Sequence, residues 1–198
     1  MEYSYKQLKL LDLYDKALDE LESIGVDFKN NPEIGSIELG ISKRSKNRYG
    51  VCKQEEPDKR YKSVTKRGYK RIIKYEKYMK HRILISDWVL DLNDDIIKNT
   101  IVHELIHCVP YCNDHGEVFK KYAKYINEKL GYDINRTGNK KEDYEKSNLN
   151  YSEESSYNYK VVCNHCGQTF YRQRINMKKM NGYKCGICNG KFDVFKIK

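Results

Sequence analysis

The sequence predicts an α+β fold followed by a small β module held together by metal. Three observations lead there. Helical periodicity is confined to residues 4–24, 94–109 and 115–130. Short runs rich in Val, Ile, Thr and Tyr lie between the first two of these stretches. Two Cys-x-x-Cys pairs stand near the end of the chain, at 163–166 and 185–188.

In the first helix Leu10, Leu11, Tyr14, Ala17, Leu18, Leu21 and Ile24 recur at helical spacing, and Gly25 stops it. The segments SIELGIS (36–42), RYGVCKQ (48–54) and RILIS (82–86) read as strands. Within residues 60–82 a hairpin can turn near Arg67-Gly68, where glycine supports the turn. Asn93 or Asp94 caps the second helix, with Ile96, Ile97, Thr100, Ile101, Leu105 and Cys108 inward. Pro110 ends it, since proline disfavours helical geometry in the residue before it and has no amide hydrogen. Asn113-Asp114 caps a third helix that buries Val118, Phe119, Tyr122, Ala123 and Ile126 and closes at Gly131. Residues 137–158 hold one aliphatic side chain, Leu149, and read as a flexible linker. The expected organisation is a domain at 1–136, a linker at 137–158 and a cysteine module at 159–198.

The 198 residues suffice for one ordinary domain and a small one. Charged residues make up 33%, and mean hydropathy is -0.87. No run of about 18 apolar residues exists, so no membrane-spanning helix and no membrane partner is expected. The N-terminus mixes Asp, Glu and Lys into its apolar positions, unlike a signal-peptide core. The expected location is the cytoplasm, free or associated with the nucleoid. In that reducing compartment paired cysteines point to metal more than to disulfides. Cys52, Cys108 and Cys112 read as small buried hydrophobes.

Residues 101–119, IVHELIHCVPYCNDHGEVF, carry three of the five histidines. His103 and His107 are four apart on a helix and can aim their rings at one metal ion. Glu104 lies beside that face and can reach a metal-activated water without being a ligand, the HExxH logic of zinc peptidases. A catalytic zinc needs a third protein ligand. Pro110 and the residues after it can return the chain so that His115 supplies it, with Glu117 and Glu128 as competitors. Tyr111 and His81 are the two candidates for stabilising an oxyanion.

This segment resembles the SprT-like zinc metallopeptidases, the SprT/Spartan family, whose pattern is HExxH followed by a His-Gly pair at the start of the next helix. His103, Glu104, His107 and His115-Gly116 match it, and RYGVC and RILIS look like the strands that precede the active-site helix. The resemblance covers roughly residues 5–130 and again the C-terminal module. It implies a zincin-like α+β domain with a zinc ribbon, proteolysis with Glu104 as general base, and, for some members, DNA-dependent cleavage of proteins crosslinked to DNA.

Cys163, Cys166, Cys185 and Cys188 have zinc-ribbon spacing. Four thiolates close a coordination sphere, so this second zinc is expected to be structural. The cofactors expected are thus two zinc ions, one catalytic and one structural.

Charge is unevenly spread. Residues 43–82 hold 16 Lys and Arg against 4 acids, and residues 157–198 hold 9 against 1. Lysine follows overall composition, but six of the nine arginines, Arg44, Arg48, Arg60, Arg67, Arg71 and Arg82, fall in the first block. Tyr49, Tyr61, Tyr69, Tyr75 and Tyr78 are interleaved with them. In the second block Arg172, Arg174, Lys178 and Lys179 stand near Phe170, Tyr171 and Tyr183. These ten cations are the candidate nucleic-acid contacts, for DNA that is single-stranded or partly unpaired and bound without sequence specificity. The other partner expected is a protein substrate. Two further readings stay open: a non-enzymatic nucleic-acid-binding protein with two structural zinc sites, in which Cys112 completes the first, and a peptidase independent of DNA.

Overall fold

The computed structural model describes residues 3–151 and 157–197. The chain divides into two compact units, Met1–Asn150 and Tyr151–Lys198. Among the described residues no helix is long and apolar enough to cross a membrane.

The first unit opens with helix α1, Tyr5–Ser23. Ser4 and Gln7 cap it reciprocally: the Gln7 amide donates to Ser4 Oγ, and the Ser4 amide donates to Gln7 Oε1 at 2.7 Å. Leu10, Leu13, Ala17, Leu18 and Leu21 are buried. The inward stripe includes Leu13 rather than the expected Leu11, which is exposed.

A three-stranded sheet follows, in the order β1-β5-β2. Strand β1 is Ser36–Ser42 and β2 is Gly50–Pro57. A separate hairpin, β3 (Lys62–Arg67) and β4 (Lys70–Tyr75), stands between β2 and β5 (Tyr78–Ser86) in the chain. It turns at Gly68, φ 60°, as the sequence predicts. The central strand β5 is parallel to β1 and antiparallel to β2. Its Ile83 and Ile85 are fully buried.

After a 3-10 turn at Asp87–Asp91, helix α2 runs Asp94–Ile106. Asn93 caps it by accepting from the Ile96 amide at 3.1 Å. This helix packs against α1, β2 and β5. Ile97, Ile101, Val102, Leu105 and Ile106 are all fully buried, so it is a core helix and not an amphipathic surface one.

Three further expectations need correction. Helix α2 ends at Ile106, one turn before Pro110. The Cys108 and Val109 amides bond back to Leu105 and Ile106 in the tighter i→i−3 pattern, which breaks the α ladder. Tyr111, at φ 64°, then turns the chain through the left-handed region. Helix α3 begins at Glu117, not at His115, and its N-cap is Gly116. Asp114 instead accepts from the Gly116 amide at 2.9 Å, and Asn113 donates to Tyr75 O at 3.1 Å and Glu76 Oε2 at 3.0 Å. The far end agrees: α3 stops at Leu130 and Gly131 takes φ 72°.

The third correction concerns the expected linker at 137–158. It contains helix α4, Lys140–Lys146, and the first unit extends to Asn150, whereas residues 152–156 of that stretch lie outside the described residues. The Tyr49 hydroxyl donates to Asp143 Oδ2 at 2.5 Å. The rings of Tyr144 and Trp88 stack at 6.0 Å, and Lys140 Nζ lies 4.3 Å from the Trp88 ring centre. Tertiary contacts hold this helix, which is too short to be stable alone.

The second unit is a three-stranded antiparallel sheet with β6 (Tyr159–Cys163) between β7 (Thr169–Arg172) and β8 (Phe192–Lys196). A short helix α5, Met177–Met180, lies between β7 and β8 in the chain. Its buried apolar residues are Val161, Cys163 and Cys185 among those described.

The α4 contacts generate a prediction. A chain ending after residue 150 should melt close to the temperature of the first unit in the full chain. One ending after residue 136 exposes Trp88 and should melt several degrees lower, as a loss of about 1 kcal/mol or more implies. Equal melting temperatures by circular dichroism would mean that α4 contributes nothing to the fold.

Candidate metal centres

The buried helix α2 fixes the first centre. His103 sits in its last turn and His107 at its C-cap. The loop 107–116 carries His115 back over them. His115 Nε2 lies 3.0 Å from His103 Nε2 and 3.3 Å from His107 Nε2. Ligands of a tetrahedral ion with metal–nitrogen distances of about 2.0–2.1 Å stand about 3.3 Å apart, so the spacing fits zinc.

The opposite ring edges are held as well. His107 Nδ1 lies 3.1 Å from Cys112 O. The His103 ring forms a backbone hydrogen bond to Asn135 that favours its protonated form, as an N–H donating to a carbonyl does. These contacts place the lone pairs on Nε2, where the three rings converge. Burial, with the neighbouring imidazoles, lowers the His103 pKa to about 4, and burial also lowers those of His107 and His115. All three rings are therefore neutral at pH 7 and ready to ligate. Phe119 packs on all of them, with ring centres 4.7–5.0 Å away.

Their nitrogens form a group that could hold a metal ion, and among the described residues no Cys, Asp or Glu atom joins it. The competitor Glu117 is 94% exposed, and Glu128 is 61% exposed. Cys112 is buried with its thiol toward Asp114 O, and burial pushes its pKa up to about 12. Its main-chain carbonyl, not its sulfur, serves the site.

Glu104 is 6% exposed, beside the histidines. Burial pushes its carboxyl up to about 7, against the opposing pull of the Cys52 amide and Arg48. A Cβ on Gly50 would stand 2.7 Å from Glu104 Oε1, so only glycine at this β2 position leaves room for the carboxylate. Histidines and Glu104 open into a cavity of about 810 Å³, also lined by Arg48, Asn113, Asn135 and Arg136. Neither Tyr111 nor His81 lines it. His81, on β5, is buried at 1% exposure, which removes it from the oxyanion role. Sequence reading missed Gly50, Phe119 and Asn135 as site residues. Each acts through packing or a main-chain atom, for which a sequence carries no mark.

The SprT-like family matches residues 17–140, from within α1 to the start of α4. The chain belongs to the SprT-like family. No curated protein matches it.

The second centre of this SprT-like protein is the cysteine group. Cys163 and Cys188 sulfurs are 3.4 Å apart, and those of Cys166 and Cys185 3.6 Å. All four lie within 4.8 Å of one another and could hold a metal ion. Each pair sits on a knuckle turned by a left-handed residue, Gly167 or Asn189, whose amide bonds to the first cysteine's carbonyl. Amides of Cys166 and His165 hold the Cys163 thiol down at about 6. Amides of Ile187 and Cys188 lower Cys185 likewise. Such amides stabilise thiolates, the form that ligates. A Cβ on Gly190 would meet the Cys163 sulfur at 2.9 Å, so glycine permits the knuckles to close.

The arginines of the first basic block have different surroundings. Arg48 lines the cavity. Arg60 pairs with Asp58 at 2.7 Å, and Arg82 with Glu38 at 3.1 Å and Glu55 at 3.4 Å. Arg44 lies in the loop between β1 and β2, and Arg67 and Arg71 on the hairpin. In the second unit Arg172 lies 5.0 Å from the Phe170 ring centre. Lys178 and Lys179 stand on α5, and Arg174 in the loop before it.

Metal analysis of the full chain should give two zinc ions. His115→Ala should lose one of them and leave the cysteine-bound ion in place. Two ions retained at unchanged affinity would remove His115 from the ligand set.

Proposed function

We propose that this chain is a zinc-dependent metalloendopeptidase that cleaves DNA-bound or DNA-crosslinked proteins and is stimulated by DNA. The observation that carries the peptidase reading is a buried carboxylate next to three converging imidazoles, all facing an open cleft. The three-histidine set leaves room for a non-protein ligand, the arrangement of a catalytic centre, and the four-cysteine set closes its sphere, the arrangement of a structural one. A zinc ion bound by the imidazoles would supply Lewis acidity, lowering the pKa of a coordinated water and polarising a substrate carbonyl.

The chain's own residues do the rest. Glu104, as carboxylate, takes the proton of the attacking water and can pass it to the departing amine. Arg48 and the Cys52 amide favour the carboxylate form against burial. Strand β2 lines the cleft with Gly50, Val51, Cys52 and Gln54, and it pairs only with β5 among the described strands. Its free edge offers main-chain groups to an extended peptide.

The DNA part of the reading rests on charge. The basic hairpin and the second unit, with 9 cations against 1 acid in residues 157–198, suit a polyanion. Single-stranded or partly unpaired DNA, bound without sequence preference, fits cations set among aromatic rings such as Tyr171 and Phe170.

Glu104→Gln should keep both zinc ions and lose at least about a hundredfold in peptide cleavage. Single-stranded DNA should speed wild-type cleavage of a DNA-binding protein at low salt. Wild-type rates in the zinc-loaded variant would defeat the peptidase reading, and indifference to DNA would leave a peptidase independent of it. Gly50→Ala should displace Glu104 without removing zinc and lower cleavage by about tenfold to a hundredfold. An unchanged rate would show that the carboxylate position does not matter.

A further inference from the structure

The β3–β4 hairpin contributes no residue to either metal group. Its register pairs Lys62 with Tyr75, Val64 with Ile73 and Lys66 with Arg71 on one face. The other face holds Ser63 with Lys74, Thr65 with Ile72 and Arg67 with Lys70. Every one of these side chains except the half-buried Tyr75 is exposed. Six cations and no acid fall in residues 62–75. Lys74 pairs with Glu76 at 3.5 Å, and among the described residues the other five form no ion pair.

The distribution identifies the occupant. Cations are divided three and three between the two faces. The aliphatic residues are also divided, Val64 and Ile73 on one face and Ile72 on the other. A ribbon meant to lie on a membrane or pack on another sheet collects its apolar residues on one face. A ribbon that carries charge on both faces suits a groove with phosphates on both walls. The major groove of B-form DNA is about 12 Å wide and admits a two-stranded ribbon, whereas the deep, narrow major groove of A-form RNA does not.

We propose that the β3–β4 hairpin is a duplex-binding arm that lies in a groove of double-stranded DNA. It rests on the nucleic-acid reading above and names the element that takes the paired part of the ligand. The arm's root is tied to the loop bearing His115. The Tyr111 amide donates to Glu76 O at 2.7 Å, and Asn113 donates to Tyr75 O and Glu76 Oε2. A duplex on the arm is thereby held close to the cleft.

The test uses the full chain and fluorescence anisotropy with a blunt duplex of about 20 base pairs and its single strand, across a salt series. Lys66→Gln/Arg71→Gln alters one face, and Arg67→Gln/Lys70→Gln the other. Each double variant should weaken duplex binding by about tenfold or more and lower the salt slope by about 2. The two faces should matter about equally, and Arg67→Lys/Arg71→Lys should retain binding. Loss on one face only, parental duplex affinity in both variants, or hairpin-dependent binding of phosphatidylserine vesicles without duplex binding would overturn the proposal. Glu104→Gln should bind duplex as the parent does. Failure of the arm is thus distinguishable from failure of the peptidase reading.

Discussion

Three imidazole nitrogens, all Nε2, converge: those of His103 and His107 lie 3.0 and 3.3 Å from that of His115. Neutral rings with lone pairs facing one another repel unless a cation lies between them, and the first unit is arranged to hold them there. A helix with eight of its 13 residues buried fixes His103 and His107, because it cannot rotate without breaking its packing. A left-handed Tyr111 reverses the chain so that His115 returns. Carbonyls of Cys112 and Asn135 set the ring orientations, and Phe119 closes the apolar side.

Glu104 carries a second cost. A carboxyl at 6% exposure resists ionisation, and the structure offsets this with one amide, one guanidinium and a missing side chain at Gly50. Zinc at the histidines would add a positive charge beside it and favour the carboxylate further. Metal binding and ionisation would therefore be coupled: a cation held by the imidazoles would also stabilise the ionised form of Glu104.

Legibility in the sequence followed the range of the interaction. His103 and His107 at helical spacing, the Asn93 cap, the Gly68 turn and the Gly131 stop are local, and each stands where the sequence puts it. The cysteine spacing brings four sulfurs together for the same reason. Tertiary effects were hidden. Residues 139–147 look like a linker by composition, yet Tyr49, Trp88 and Asn93 wait elsewhere in the chain to bind them. Asn113 has the chemistry of a cap, but Tyr75 and Glu76 take its amide. Six arginines cluster in sequence, while Arg60 pairs with Asp58 beside it and Arg82 with Glu38 and Glu55 on the neighbouring strands. The parallel pairing of β1 with β5 joins strands far apart in the chain, and no pattern within either one announces it.

The central claim is a zinc ion bound by three histidines with a fourth position free of protein ligands. Anomalous diffraction at the zinc edge from crystals of the zinc-loaded chain tests it most directly. The account predicts a peak about 2.0–2.1 Å from Nε2 of His103, His107 and His115, with Glu104 outside bonding distance, and a second peak about 2.3 Å from four sulfurs. A peak at the histidines whose fourth ligand is a side chain of the protein, whether Glu104 or Cys112, would contradict it.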